Sequence, residues 1–296
     1  MELTAPANGI EMVYEAFGDP ADPTALLIMG LGVQMLGWDA EFCELLAGRG
    51  FHVVRFDNRD VGRSTKIEGG PRPDLMAAAM GDASSASYTL DEMADDCAGL
   101  LEHIDVEGAH VVGASQGGMI AQALAIRHPG RVLSLASIMS TTGDPAVGQP
   151  HPEALPALMA RPPADLQEYV EFVVGAFRII GSPGFEADEE KLRDRARASF
   201  ERGYYPDGTA RQLLAILASG DRTEALRRLD VPTVVIHGTD DILIDVSGGK
   251  ATAAAIPGAG LELIPGMGHD LPRQLWPRFV DLIAENAARA VPQAQS

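Results

Sequence analysis

The chain reads as an α/β protein, a mostly parallel sheet with flanking helices and an inserted helical cap. Three observations predict it. Short β-rich apolar runs, ALLIM (25–29), FHVVRF (51–56), AHVVG (109–113), VLSLASIM (132–139) and VPTVVIHG (231–238), are separated by segments of helical periodicity. The runs are continuously apolar rather than alternating, as strands covered on both faces must be. From 141 to 220 the strand signals stop, and only helical segments remain, broken by TTGDPAVGQPHPEALP, ARPPADL and IIGSPG. This divides the chain into a core domain, 1–140 with 221–296, and a cap, 141–220.

Taken in order, IEMVYEAFG (10–18) alternates and suits an antiparallel edge strand. The run at 25–29 ends in the glycine turn MGLG (29–32), and the run at 51–56 leads into FDNRDVGRST (56–65). A long connection, 66–87, follows; loops of that length are functional where they border a site. Thr89-Leu90-Asp91-Glu92 is a capping box, and Met93, Cys97, Leu100, Leu101 and Ile104 then share one helix face. After the cap, strand and helix alternate again through LELIPGMGH (261–269) and a last helix near 274–289, with a fraying tail at 290–296.

Composition narrows the function classes. A chain of 296 residues, 46% hydrophobic, can bury a sizeable core. Its formal charge of −19, from 42 acids and 23 bases with no basic cluster, disfavours nucleic acid and anionic membranes as partners and makes a neutral or cationic one the easier case. ALLIMGLGV (25–33) is too short and glycine-rich to span a bilayer. No apolar stretch of signal-peptide length opens the sequence, so a cytoplasmic location is the default expectation. Cys43 and Cys97 sit in helical segments outside any C-x-x-C or Cys/His cluster, and read as reduced core residues. GASQGG has no P-loop lysine and does not complete G-x-G-x-x-G, so no nucleotide cofactor is expected, and without a Cys/His ligand cluster no metal is expected either. Oligomeric state is not legible.

The run at 109–113 passes into Gly113-Ala114-Ser115-Gln116-Gly117 and then into the helix GMIAQALAIRH, closed by Pro129-Gly130. A strand, a sharp turn and a helix are what G-x-S-x-G requires to lift a serine hydroxyl off a sheet. That hydroxyl needs a base within hydrogen-bond reach and a carboxylate to orient the base. Of the seven histidines, His52, His103, His128 and His151 lie at element ends or the cap entry, and His110 and His237 fall inside strands as packed residues. His269, in IPGMGHDLP after a strand, sits on a loop made pliable by Gly266 and Gly268 and is the candidate base. Backbone N–H groups of Leu31, in the turn after the early strand, and Gln116, at the helix start, are the candidate oxyanion donors. In HGTDDI (237–242) the two carboxylates point to opposite sides of an extended chain, so Asp240 and Asp241 compete for one imidazole. Asp245 and Asp144 are further candidates, and Asp240 also suits turn formation.

These motifs resemble the α/β-hydrolase superfamily over nearly the whole chain, in the order serine, acid, histidine. Within it, GDPADP (18–23), LGW (36–38), RDVGRST (59–65), HVVGASQGG (110–118) and PGMGH (265–269) look closest to the aclacinomycin methylesterase group of bacterial hydrolases. Two departures stand out. Asp60 replaces a glycine of the D-x-R-G-x-G-x-S stretch, and Met29-Gly30 replaces the usual His-Gly before the oxyanion turn. The resemblance implies an eight-stranded sheet with a helical lid between strands six and seven, and ester hydrolysis by Ser115, Asp241 and His269 without a cofactor. It selects Asp241 because the acid stands three residues after the strand-ending glycine, here Gly238. A small-molecule ester is the expected substrate, with Met29, Trp38, Met159, Phe172 and Phe177 as candidate pocket residues. Thioesters, lactones, C–C bonds and perhydrolysis suit the same triad, and a non-catalytic ligand-binding protein is the rival from another class.

Overall fold

The computed structural model describes residues 1–290; the tail expected to fray lies, from 291 on, outside the described residues. The elements run β1 (Leu3–Ala7), β2 (Ile10–Phe17), β3 (Thr24–Ile28), α1 (Ala40–Ala47), β4 (His52–Phe56), α2 (Leu75–Ala79), α3 (Leu90–His103), β5 (Ala109–Ala114), α4 (Gln116–Arg127) and β6 (Val132–Ile138). Then come α5 (Leu155–Met159), α6 (Leu166–Ile180), α7 (Glu189–Gly203), α8 (Pro206–Ser219), α9 (Thr223–Leu226), β7 (Thr233–Gly238), α10 (Ser247–Ala255), β8 (Gly260–Ile264) and α11 (Trp276–Ala287).

The strands form one eight-stranded sheet in the order β1-β2-β4-β3-β5-β6-β7-β8, parallel from β4 to β8 and antiparallel at β1–β2 and β2–β4. The expected edge strand, β2, is therefore second in the sheet. The edge is β1, whose LTAPA buries Ala5 and Ala7 on one face and tolerates Pro6 because its outer side needs no ladder partner.

Side chains alternate across the strands, so each one feeds two cores. Leu26, Ile28, Val54 and Val111 pack with Leu90, Met93 and Cys97 of α3 and Ile120 and Leu124 of α4. Leu27, Val53, Val112 and Ala114 pack on the other face with Trp38, Phe42 of α1 and Phe279 and Val280 of α11. The capping box of α3 forms as the sequence predicts, Thr89 and Glu92 satisfying each other's backbone N–H groups. Both cysteines are buried and unpaired, and burial pushes the Cys43 thiol up to about 12.

Helices α5 to α8 lie between β6 and β7 and carry no strand among the described residues. The parallel strands β3, β5, β7 and β8 all end on the same side of the sheet, beneath these helices. Crevices at the carboxyl ends of parallel strands are where open α/β sheets place their ligands. No helix among the described residues is long and apolar enough to cross a membrane.

Candidate active site

Ser115 directly follows β5 and stands at the N-cap of α4 with φ 57° and ψ −123°, a conformation that costs a residue with a Cβ about 1–3 kcal/mol. Tight packing holds it there. A Cβ on Gly117 would come within 2.1 Å of the Ile28 carbonyl oxygen, so the α4 backbone meets β3 at a distance that only glycine permits.

The strand ends bring three residues of distant sequence together. His269 Nε2 is 2.9 Å from Ser115 Oγ, and His269 Nδ1 is 2.7 Å from Asp241 Oδ2. Asp241 is buried, and its Oδ1 accepts the Leu243 and Ile244 N–H groups, each at 2.9 Å. Burial raises its pKa, but the charges and hydrogen bonds of His269 and His237 outweigh that and hold the carboxyl well below the usual range. His237 is one participant that sequence reasoning left among packed residues. Its Nε2 donates to the Ile244 carbonyl at 2.8 Å and lies 3.4 Å from Asp241 Oδ2. The i, i+4 spacing within HGTDD was the available signal.

The other acids stand apart. Asp240 Oδ2 accepts the Gly266 N–H at 2.8 Å and the Thr239 hydroxyl at 2.6 Å, a turn role. Asp144 accepts the Ala146 N–H, and Asp245 the Ser247 N–H and His151. His269 keeps its loop for a reason other than pliability. A Cβ on Gly268 would stand 2.4 Å from the Gly181 carbonyl oxygen, so the glycine admits the end of α6 against the loop. There the His269 N–H donates to the Ile180 carbonyl at 2.7 Å and the Gly268 N–H to Ser182 Oγ at 2.9 Å.

The Leu31 turn lies against the serine: a Cβ on Gly30 would be 3.0 Å from Ser115 Cβ. Among the described residues, neither the Leu31 nor the Gln116 N–H donates to another group of the protein. Asn58 Nδ2 holds the Met29 carbonyl at 2.9 Å, and Gln212 of α8 accepts the Gly32 N–H at 2.8 Å. Gln212 also donates to the Arg59 carbonyl at 2.8 Å and accepts from Gln116 Nε2 at 3.1 Å through its own carbonyl. No motif marks this glutamine; it is 180 residues from the turn that it holds.

Asp60, in the place of the expected glycine, keeps the glycine conformation, φ 70°. It is buried, and accepts from Arg211 of α8 at 2.9 and 3.0 Å, from the Tyr88 hydroxyl at 2.7 Å and from the Ile67 N–H at 2.7 Å. The substitution thus gains an ion pair to the inserted helices.

Above Ser115 and His269 a cavity of about 1060 Å³ opens between the sheet domain and α5 to α8. Met29, Leu31, Trp38, Phe172 and Phe177 line it. Met159 does not. It is 52% exposed, because the short α5 turns Ala157 and Leu158 inward instead. Among the described residues, none of the connection 66–87 lines this wall. No group of three or more His, Cys, Asp or Glu residues able to hold a metal ion occurs among the described residues.

Residues 24–272 match the alpha/beta hydrolase fold family, and the chain belongs to it. The chain is 30% identical to Rhodomycin D methylesterase DnrP of Streptomyces peucetius over 87% of its own length and 88% of that protein. It is 27% identical to the Bifunctional esterase/perhydrolase DCH of Acinetobacter calcoaceticus over 90% and 91%. Among solved structures, a meta-cleavage product hydrolase from Pseudomonas fluorescens IP01 shares the fold with a TM-score of 0.75 at 20% identity, covering 98% of both chains.

Proposed function

We propose that the chain hydrolyses carboxylic esters through an acyl-enzyme on Ser115, with 141–220 as the cap over a core of 1–140 and 221–296. The ester-hydrolase class follows from kinship with methylesterases and esterases. The single observation that carries the mechanism is the unbroken hydrogen-bonded line from Ser115 Oγ through His269 to Asp241 at the floor of the cavity. With Nδ1–H directed to Asp241, Nε2 accepts the serine proton as Oγ attacks the ester carbonyl. Asp241 stabilises the imidazolium, and the free N–H groups of Leu31 and Gln116 receive the oxyanion. His269 then protonates the leaving alkoxide, and water repeats the sequence on the acyl-enzyme. No cofactor enters any of these steps.

The apolar wall of Met29, Trp38, Phe172 and Phe177 suits a hydrophobic acyl group, and the methylesterase relatives favour a methyl or other small alkyl alcohol. A cytoplasmic setting fits the two unpaired cysteines. Ser115→Ala is expected to cut turnover of small activated esters by about 10³-fold or more, with an unchanged fold. Stoichiometric labelling of the parent chain by a fluorophosphonate, lost in Ser115→Ala, is the companion result. Retention of most activity by Ser115→Ala would overturn the assignment.

A further inference from the structure

Arg195, a cation of the cavity wall, has no work in this mechanism. Helix α7 turns Leu192, Arg195, Ala196 and Ser199 toward the cavity, the three- and four-residue spacing of one helix face. The other arginines of α7 are paired: Arg193 with Glu171, Arg197 with Asp194 at 2.7 Å, and Arg202 with Glu2 at 2.7 Å and with Asp57. Lys191 and Arg273 also line the cavity, and each pairs with Glu41, at 3.6 and 2.5 Å, whereas among the described residues Arg195 has no carboxylate within 4.0 Å and no acceptor for its hydrogen bonds. Its guanidinium carbon stands 5.5 Å from the Phe177 ring centroid, a cation–π contact that uses none of its N–H donors. Asp39 and Asp270 stand near enough to favour its charge, but the acids of the same cavity make their hydrogen bonds elsewhere. Asp39 caps α1 through the Glu41 N–H, Asp188 caps α7 through the Lys191 N–H, Glu189 pairs with Arg178, and Asp270 takes the Ser182 hydroxyl. Glu186 is exposed at the rim.

A substrate that fills this cavity displaces water from the guanidinium. Arg stays charged near neutral pH, so a wholly neutral ligand leaves charged donors unmet, whereas a carboxylate satisfies two at once. We propose that Arg195 recognises an anionic group carried by the ester away from its scissile carbonyl, so that the preferred substrate is a monoester of an acid with a second ionised carboxylate. This rests on the reading of Ser115 as the nucleophile. The chain's charge of −19 opposes the approach of an anion at long range, so the preference belongs to the bound state and not to the encounter.

The test compares monomethyl dicarboxylates, from glutarate to sebacate, with methyl alkanoates of equal length. Turnover is measured on the parent chain, Arg195→Met and Arg195→Lys, and binding on Ser115→Ala with and without Arg195→Met. At the best chain length the parent favours the anionic ester in kcat/KM by about tenfold or more. Arg195→Met removes that preference, costing the anionic ester about tenfold more than the neutral one, and Arg195→Lys, which keeps the charge without the fork, retains part of it. Ser115→Ala binds the anionic ester more tightly than the neutral one, and the added Arg195→Met equalises them. Equal binding of the two ester series by Ser115→Ala, or an equal loss on both substrates in Arg195→Met, overturns the inference. If no ester turns over but Arg195-dependent binding of the anion persists, the hydrolase reading fails and the anion site stands.

Discussion

Asp240 and Asp241 are neighbours with opposite tasks. Asp240, exposed, ties Thr239 to the Gly266 turn, while Asp241 is buried between two imidazoles and two backbone N–H groups. Asp241→Asn keeps the shape but offers Nδ1 of His269 an amide that can stabilise the wrong tautomer. A fall in kcat of about 10³–10⁴-fold is expected on p-nitrophenyl acetate, against a few-fold for Asp240→Asn. A larger loss in Asp240→Asn would reverse the assignment. Asp241 also predicts a pH dependence of stability. Burial works to raise its pKa, but the two imidazoles depress it in the folded state. A depressed carboxyl contributes stability that is present above its unfolded pKa, about 4, and lost as pH falls through the folded value. The stability gap between the parent chain and Asp241→Asn, measured by urea unfolding, is therefore expected to narrow as pH falls below about 4.

Helix α8 shows which parts of a site a sequence discloses. The serine elbow and the histidine loop were legible because their chemistry needs small residues at fixed local offsets: Gly113 and Gly117 around Ser115, and Gly268 beside His269. Edge strand β1 was not, since five residues with a proline leave too little pattern. Gln212 and Arg211 were not either, because each acts on partners more than 150 residues away and an amphipathic helix gives no sign of which polar residue faces inward. Their effects are separable. Gln212→Met removes the acceptor of the Gly32 N–H, beside the proposed oxyanion donor Leu31. It is expected to lower kcat by about 10–100-fold with KM changed little, since misplacing a donor affects the transition state most. Arg211→Leu leaves Asp60 buried and unpaired, and a stability loss of about 3–5 kcal/mol is expected from denaturant unfolding, reduced in the double variant that also carries Asp60→Asn.

At the scale of the whole molecule the inserted helices are built into the framework that holds the proposed triad and do not merely rest above it. One seam joins the end of α6 to the histidine loop: His269 N–H to the Ile180 carbonyl, Gly268 N–H to Ser182, Gly184 N–H to the Gly266 carbonyl at 2.9 Å, and Ser182 to Asp270. The other joins α8 to the Leu31 turn and to FDNRDVGRST through Gln212 and Arg211. The catalytic residues proposed here therefore share their hydrogen bonds with the segment that encloses the cavity, and large lid motions at either seam would break several of these bonds at once. Substrate entry is then expected through the α5 side, where Leu155 and Met159 are exposed, with the two seams closed. Native-state hydrogen exchange tests this directly. Peptides covering 180–185 and 264–270 should exchange slowly and together, with protection near that of β5, while 69–86 exchanges early. Fast exchange of the histidine-loop seam, matched to that of 69–86, would instead make α6 and α7 a lid that opens from the histidine side.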